Sequence, residues 1–293
     1  MSEGLLAPGA ALGKMVVEGI LGKGGMGVVY KVRDPNTNVP YAAKILHPHL
    51  RKERDFVKRF KTEAKTASKF KHINTVHVEK LKGWGKVVYY VMEFVDGRLL
   101  EEILAETGPF AVDRALAIVR DIAAGLECIH SKRYVHRDVK PGNVLIRPDD
   151  HVKLIDFGLA QKWGAPKRTK SGHVMGTARY MAPELIEGTY VYPETDIYAL
   201  GVMTYELLTG KAPFNSDNID VILDMHLYGK HKPLMAAVEN IDQKLDKFVD
   251  KMLAKNPDDR IRSARLVHGW LDYYVTTATF APVPGTKLGE AGH

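Results

Sequence analysis

The segment that most constrains this chain is His136-Arg137-Asp138-Val139-Lys140-Pro141-Gly142-Asn143, a charged stretch between a helical pattern and the apolar strand pattern Val144-Leu145-Ile146. Asp138 can accept a proton from a hydroxyl nucleophile, and Lys140 can offset charge on a phosphoryl group. Asn143 can offer an oxygen to Mg²⁺. The alternative is a solvated turn around Pro-Gly. The rest of the chain favours a segment that handles phosphate.

A glycine-rich stretch near the start supports that interpretation. A strand pattern over Met15–Leu21 is followed by Gly22-Lys23-Gly24-Gly25-Met26-Gly27 and a second strand pattern over Val28–Val32. The spacing fits G-x-G-x-x-G, which is weak evidence on its own. A dinucleotide site requires a helix next, whereas β-branched Val28-Val29 predicts a strand. We therefore predict a glycine hairpin able to fold over phosphates, with an ordinary hairpin as the alternative.

These stretches resemble protein kinases. The first matches the catalytic-loop signature H-R-D-L-x-x-x-N, with Val139 in place of Leu. Asp156-Phe157-Gly158 matches D-F-G thirteen residues after Asn143 (156 minus 143), and Ala182-Pro183-Glu184 matches A-P-E. The resemblance covers about residues 14 to 275 and is greatest to the bacterial Ser/Thr protein kinases.

Lys44 lies in the apolar strand pattern Val39–Leu46, where an ammonium group needs an anionic partner. By resemblance it should reach the α and β phosphates of ATP. Glu63, in a predicted helix over about 51–70, is the expected partner of Lys44. A local helix pair of Glu63 with Arg59, or with neighbours on the Lys65 side, is the alternative.

The resemblance also implies the nucleotide and metal sites. Asn143 and Asp156 would bind Mg²⁺, with Mn²⁺ as a substitute. Met92 would be the gatekeeper, and the backbone of Glu93 and Val95 would face adenine. The full set of expected ATP-binding positions is Gly22, Lys23, Gly24, Gly25, Gly27, Val29, Ala42, Lys44, Glu93, Val95 and Leu145.

The polar and basic stretch from Gly158 to Ala182 resembles an activation segment. We hypothesise that phosphate on Thr169 or Ser171, added by autophosphorylation, pairs with Arg137 and orders this segment. Thr177 occupies a position that, with Lys140, favours serine/threonine over tyrosine specificity, although it could be a turn residue or a further phosphosite.

Two further matches concern structural support. Asp196 resembles the aspartate that anchors the catalytic loop, and Arg260 resembles the arginine that pairs with the A-P-E glutamate, here Glu184.

Composition limits the other classes of function. The hydrophobic fraction of 45% and charged fraction of 26% are typical of a globular protein. The single cysteine, Cys128, excludes an intrachain disulfide and fits a reducing cytoplasm. No apolar run is long enough to span a bilayer. The net charge of +7 could suggest nucleic acid, but the densest basic region, Arg51 to Lys71, also contains Glu53, Asp55 and Glu63. A solvated helix face with no nucleic-acid partner is the prediction.

We therefore predict an α+β, two-lobed protein kinase fold. The expected divisions are a mobile leader over 1–13, a small β-rich lobe over 14–95, a helical lobe over 96–275 and a flexible tail over 276–293. The expected reaction is transfer of the ATP γ-phosphoryl group to Ser or Thr hydroxyls of proteins. Dimerisation through the small lobe is an expectation from the family alone.

Two alternatives stay open. A small-molecule phosphotransferase on a related fold would share the Asp138 and Asn143 spacing, but the segment from Thr177 to Glu184 favours a protein substrate. A pseudokinase scaffold is the second, although Lys44, Asp138, Asn143 and Asp156 are all present.

Overall fold

The computed structural model describes residues 5–84, 87–164 and 175–277, and the N-terminal part of these is an antiparallel sheet. Its strands follow the order β1-β2-β3-β4-β6-β5. Val28, Tyr30 and Val32 alternate inward on one strand, as expected of β-branched and aromatic residues on a half-buried sheet. The six strands are β1 (Ala11–Leu12), β2 (Met15–Lys23), β3 (Gly27–Arg33), β4 (Pro40–Leu46), β5 (Val78–Trp84) and β6 (Val87–Glu93).

The hairpin between β2 and β3 is tighter than predicted. Gly22 and Lys23 were expected in the loop, but they continue β2 and pair with Val29 and Val28 of β3. The turn is thereby confined to residues 24–26. Gly27 is required by packing, because a Cβ there would lie 2.2 Å from the carbonyl oxygen of Ile45 on β4.

The leader predicted over residues 1–13 differs from the structure where it is described. Ala11 and Leu12 form β1 and pair with Val16 and Met15. Leu12 is only 1% exposed, so this apolar side chain is buried although the Gly-, Ala- and Pro-rich composition around it shows no periodic pattern. The region predicted as a leader therefore includes a short strand that pairs with β2.

The sheet packs against helix α1 (Arg54–Ala67). The predicted helix over 51–70 is split, because Glu53 is extended and separates α1 from a 3₁₀ turn at Pro48–Lys52. Apolar side chains of α1 are buried: Phe60 is 0% exposed, and Ala64 and Ala67 are each 1% exposed.

The C-terminal part is helical, which confirms the predicted α+β class. Its centre is a helix buried on all sides, as expected of a helix that is largely apolar around its circumference. The helices are α2 (Leu100–Thr107), α3 (Val112–Ser131), α4 (Met175–Ala178), α5 (Pro183–Glu187), α6 (Pro193–Thr209), α7 (Ile219–Tyr228), α8 (Leu234–Ala237), α9 (Gln243–Met252) and α10 (Ala264–Thr277). The central one is α6. No helix among the described residues has the length and apolarity needed to cross a bilayer.

Short strands flank the polar loops that follow β6. They are β7 (Arg98–Leu99), β8 (Tyr134–Val135), β9 (Val144–Ile146), β10 (Val152–Leu154) and β11 (Gln161–Lys162). The antiparallel pairing of β9 with β10 sets Leu154 opposite Val144. Residues that precede β9 and residues that follow β10 therefore meet at one end of this hairpin.

Candidate functional site

The segment between β8 and β9 forms a compact polar cluster. Lys140 Nζ donates a hydrogen bond to Asp138 Oδ1 at 2.9 Å and another to Thr177 Oγ1 at 3.1 Å. Asn143 Nδ2 donates to Asp138 Oδ2 at 2.8 Å. The structure therefore brings together the four polar residues that the sequence singled out in and near this loop.

Asp196 holds this loop from the interior. Its carboxylate is fully buried and accepts hydrogen bonds from the backbone N–H groups of His136 and Arg137, each at 2.7 Å. His130 Nε2 lies 2.8 Å from Asp196 Oδ2. Arg137 has a φ of 69°, which is uncommon for a residue other than glycine. The buried carboxylate stabilises that backbone, which is the supporting role expected of Asp196.

Lys44 on β4 and Glu63 on α1 form the predicted pair. Lys44 Nζ lies 2.6 Å from Glu63 Oε1, and both side chains are buried. The local alternative with Arg59 does not occur, because Glu63 points into the protein. Lys44 Nζ also lies 3.8 Å from Asp156 Oδ2. Burial alone would lower the pKa of the Lys44 ammonium, but attraction to Asp156 and Glu63 leaves that pKa raised.

Tyr90 completes this arrangement and was missed from the sequence. Its hydroxyl donates to Glu63 Oε1 at 2.6 Å, and it sits directly opposite Lys44 in the pairing of β4 with β6. Burial, and then the charge of Glu63, raise the pKa of the Tyr90 phenol. A tyrosine in an apolar strand was visible in the sequence, but the register that sets it beside Lys44 was not.

Asp156 lies at the end of β10 in a left-handed conformation, with φ at 58°. The Gly158 N–H donates to Asp156 Oδ1 at 2.9 Å. Removal from water alone would raise the pKa of the Asp156 carboxyl, but Lys44 and the Gly158 hydrogen bond leave it lowered. A Cβ at Gly158 would lie 3.1 Å from Asp156 Oδ1 and 3.3 Å from Glu63 Oε2, so a side chain there would crowd both carboxylates.

Most of the expected nucleotide-binding residues lie on the six-stranded sheet, and one lies on the hairpin of β9 and β10. Val29 on β3 and Leu145 on β9 are half-buried, and Ala42 on β4 is buried opposite Met92. Glu93 ends β6, where its carboxylate pairs with Lys153 Nζ at 2.5 Å, and Val95 follows it. The hairpin between β2 and β3 contains five more of the expected residues: Gly22, Lys23, Gly24, Gly25 and Gly27.

His47 also contacts this hairpin and was missed from the sequence. His47 directly follows β4, and its Nε2 lies 2.8 Å from the carbonyl oxygen of Gly24 in the turn between β2 and β3. A histidine just after a strand gives no periodic signal, so sequence reasoning had no means of finding the contact.

A buried ion pair joins Glu184 on α5 to Arg260. Arg260 binds both carboxylate oxygens of Glu184, at 2.8 Å and 2.9 Å, and Thr195 donates to the same carboxylate at 2.8 Å. This two-pronged geometry is the strong form of such a pair. Thr169 and Ser171 lie outside the described residues.

A divalent cation fits the oxygens beside the β9–β10 hairpin. The Ile155 N–H donates to the Asn143 carbonyl at 2.9 Å, which fixes Asn143 close to the chain leading into Asp156. Both hydrogen bonds of the Asn143 side chain use its nitrogen, so its oxygen is the atom suited to a metal. Within the described residues no three His, Cys, Asp or Glu side chains form a metal cluster. One amide oxygen and one carboxylate suit a divalent cation whose remaining ligands are phosphate and water.

Comparison with known proteins agrees with this geometry. The family model described as "Protein kinase domain" matches residues 15–271. A probable serine/threonine-protein kinase of Clostridium perfringens is 35% identical over 252 residues, which cover 86% of this chain and 37% of that protein. Serine/threonine-protein kinase PknA of Mycobacterium tuberculosis is 35% identical over 256 residues, covering 86% of this chain and 59% of PknA.

A third relative, serine/threonine-protein kinase PknD of Mycobacterium tuberculosis, is 34% identical over 268 residues, covering 90% of this chain and 40% of PknD. The chain thus spans between 37% and 59% of the lengths of these relatives. The family model covers most of this chain, and its signatures coincide with the polar clusters around Asp138 and Lys44. The chain therefore belongs to the protein kinase family.

Proposed function

We propose that this chain transfers the γ-phosphoryl group of ATP to serine or threonine hydroxyls of proteins. The observation that carries the proposal is the contact of Lys140 with both Asp138, at 2.9 Å, and Thr177, at 3.1 Å. A threonine that contacts the catalytic loop supports Ser/Thr specificity, and the three relatives are named as serine/threonine-protein kinases. Protein kinases as a family use ATP and a divalent metal ion.

Each charged residue has a role in this proposal. Asp138 orients the acceptor hydroxyl and takes its proton, while Lys140 offsets the charge that develops on the transferred group. Lys44 binds the α and β phosphates, and Glu63 with Tyr90 holds Lys44 in position. Asn143 and Asp156 hold Mg²⁺, for which Mn²⁺ could substitute. The bound metal neutralises phosphate charge and orients the nucleotide.

The adenine end of the nucleotide is bound by apolar groups and backbone in this proposal. Val29, Ala42 and Leu145 provide the apolar surfaces, and the backbone of Glu93 and Val95 faces the purine edge. The glycine hairpin covers the phosphates, where backbone N–H groups are suitable partners for anions. The nucleotide would thus lie between a sheet-rich lobe over 14–95 and a helical lobe over 96–275.

Regulation by phosphate is a further part of the proposal. Among the described residues, the Arg137 guanidinium meets neutral acceptors, Gln161 Oε1 and the Leu159 carbonyl, and its buried Nε has no partner. Burial lowers the pKa of Arg137. A phosphate on Thr169 or Ser171 would provide the missing acceptor and offset the cost of burying the cation.

The test is incorporation of phosphate from ATP with Mg²⁺ into the protein and into a general Ser/Thr protein substrate. Asp138→Asn should lower the rate by about 10² to 10⁴, because the positioned base is lost. Asp149→Asn is the matched control, since this exposed carboxylate contacts only Arg147 and the His151 N–H among the described residues. Peptide mapping then locates the modified residues.

Three outcomes would contradict the proposal. Transfer to small alcohols but not to protein would indicate a small-molecule phosphotransferase. ATP binding without transfer by the wild type would indicate a scaffold. Equal rates for the two Asp→Asn variants would remove Asp138 from the chemistry.

A further inference from the structure

A basic groove runs along the exposed side of α1, and none of its lining residues belongs to the cluster around Asp138. Its volume is about 490 Å³, and most of its lining side chains are cations. The cations are Arg51, Lys52, Arg54, Lys58, Lys61 and Lys65. Arg51 and Lys52 come from the 3₁₀ turn that precedes α1, and the other four come from the helix itself.

The spacing of the helical cations places them on one face. Arg54, Lys58, Lys61 and Lys65 follow one another at intervals of four, three and four residues, which aligns side chains along a helix. Glu63 is on the opposite side, where it is 3% exposed and paired with Lys44. Glu63, one of the acids that the sequence places among these cations, therefore points away from the groove.

The positive charge of the groove is not compensated within the protein. None of its six cations forms a salt bridge in the parts of the chain that the structure describes, and Glu53 and Asp55 do not line the groove. Like charges at these spacings repel each other and destabilise a helix. A bound anion would relieve that repulsion.

We propose that this groove, which we call the α1 basic groove, docks an acidic segment of a partner protein, rich in Asp, Glu or phosphoserine. From residue 54 to residue 65 the helix rises about 16 Å, a length that an extended segment of about five residues covers. Charge complementarity gives such a segment its orientation, and the methylene stems of the lysines give it an apolar floor.

Other anionic partners fit the lining less well. Single-stranded nucleic acid is normally bound with aromatic side chains that stack on the bases, and the groove contains none. A membrane-surface helix presents bulky apolar residues beside its cations, whereas Val57 is the only hydrophobic side chain that lines this groove. A polypeptide segment is therefore the occupant that the side chains favour.

Docking would act on the nucleotide site through α1 itself. Anions on the outer face reduce repulsion within the helix that carries Glu63 on its inner face, so they favour the Lys44–Glu63 contact. This consequence rests on the proposed kinase function. The docking itself does not, and it is measured by binding alone.

The experiment uses a fluorescein-labelled peptide of about eight residues, made of Glu, Gly and phosphoserine, and its neutral Gln, Gly and Ser counterpart. Fluorescence anisotropy measures binding to the whole chain. Lys58→Gln/Lys61→Gln should weaken binding of the acidic peptide at least about tenfold, since two close cations are lost. Arg59→Gln/Lys71→Gln removes the same charge outside the groove and should change affinity less than about threefold.

Several results would overturn the proposal. These are failure of the acidic peptide to bind, equal binding of the neutral peptide, or equal weakening by the two double variants. Tighter binding of oligo-dT or of phosphatidylserine vesicles than of the peptide would assign the groove to nucleic acid or to membrane instead. Circular dichroism and thermal unfolding verify that both variants are folded. Phosphate incorporation with and without peptide is measured separately, so a failed kinase assay leaves the binding result intact.

Discussion

Glu63 receives two hydrogen bonds on one oxygen, from Lys44 on the sheet and from Tyr90 on the neighbouring strand. Its other oxygen, Oε2, is buried and has no hydrogen-bond partner among the described residues. A buried carboxylate with few donors depends strongly on each of them. The position of Lys44 is therefore set by Tyr90 as well as by Glu63.

Replacing Tyr90 by Phe tests this dependence. The change removes one hydrogen bond from a buried carboxylate, so the free energy of unfolding should fall by about 1 to 3 kcal/mol. We expect a several-fold rise in KM for ATP, because Lys44 loses part of its support. Urea unfolding and steady-state kinetics measure the two effects.

Tyr89→Phe is the matched control for that prediction. Tyr89 is equally buried on the same strand, but its hydroxyl has no hydrogen bond within the described residues. Equal effects of the two substitutions on ATP binding would show that the Tyr90 hydroxyl plays no part in positioning Lys44.

At this scale the sequence identified the charged residues but not their neutral supports. Lys44, Glu63, Asp138 and Asp156 were recognisable because they stand in motifs with fixed spacing. Tyr90 and His47 were missed, because each acts through a contact made by strand pairing or by a turn. Such contacts depend on register, which a single sequence does not specify.

Packing between elements explains the behaviour of a second buried group, His226 on α7. Its Nδ1 lies 2.8 Å from the hydroxyl of Tyr198 on α6, and its ring meets Phe214 edge-on at 5.0 Å between centroids. Burial, and then the positive charge of Lys255, lower the pKa of His226 to about 4. The contact between α6 and α7 therefore requires a neutral imidazole.

Acidification should weaken this contact. The unfolded chain binds a proton at His226 near its ordinary pKa of 6.5, whereas the folded chain does so only near 4. The contribution of neutral His226 to the free energy of unfolding is therefore fully present above about pH 6.5 and is lost as the pH falls toward 4. Lowering the pH from about 7.5 to about 5 should therefore reduce the free energy of unfolding by about 2 kcal/mol through this histidine.

Urea unfolding at those two pH values measures the loss. His226→Gln should reduce the pH-dependent loss by about that amount, whereas His49→Gln, at an exposed position, should leave it unchanged. An unchanged pH dependence in His226→Gln would show that this histidine is not the titrating group.

Element boundaries differ from the sequence-based expectations where tertiary contacts decide them. Gly22 and Lys23 belong to a glycine-rich stretch typical of a loop, but they pair with β3. Leu12 belongs to β1, and its side chain is buried. The helix predicted over 51–70 was interrupted at Glu53, which no propensity argument singled out. Strand β9 lies at the predicted Val144–Ile146, because this apolar pattern is closely bounded by polar residues.

Across the whole molecule, one hydrophobic core joins the sheet-rich part to the helical part. It includes Leu46 and Phe60 beside the sheet and Leu126 and Ile197 among the helices. Phe157, next to Asp156, packs on Phe70 at 5.2 Å between ring centroids. The residues proposed to bind ATP and metal thus come from both parts and share one packed interior.

A ligand held by both parts should raise the stability of the whole chain. At about one hundred times its dissociation constant, ATP with Mg²⁺ should add about 2.7 kcal/mol, or roughly 5 °C in Tm. Chelation of the metal by EDTA should remove most of that shift, and Asp156→Asn should reduce it. Differential scanning fluorimetry measures each case, with Asp149→Asn as the control. Equal shifts with and without metal would contradict the proposed roles of Asn143 and Asp156.

Cys128 gives this chain a property that bears on how its motions could be observed. It is the sole thiol in 293 residues, lies half-buried on α3, and has its Sγ 3.9 Å from the carbonyl oxygen of Lys71, just beyond the end of α1. Burial raises the pKa of this thiol, so a maleimide dye would attach slowly at neutral pH and faster in mild alkali. The product would carry one dye at one position without any prior mutagenesis, and its emission would report on displacement of α1 in real time.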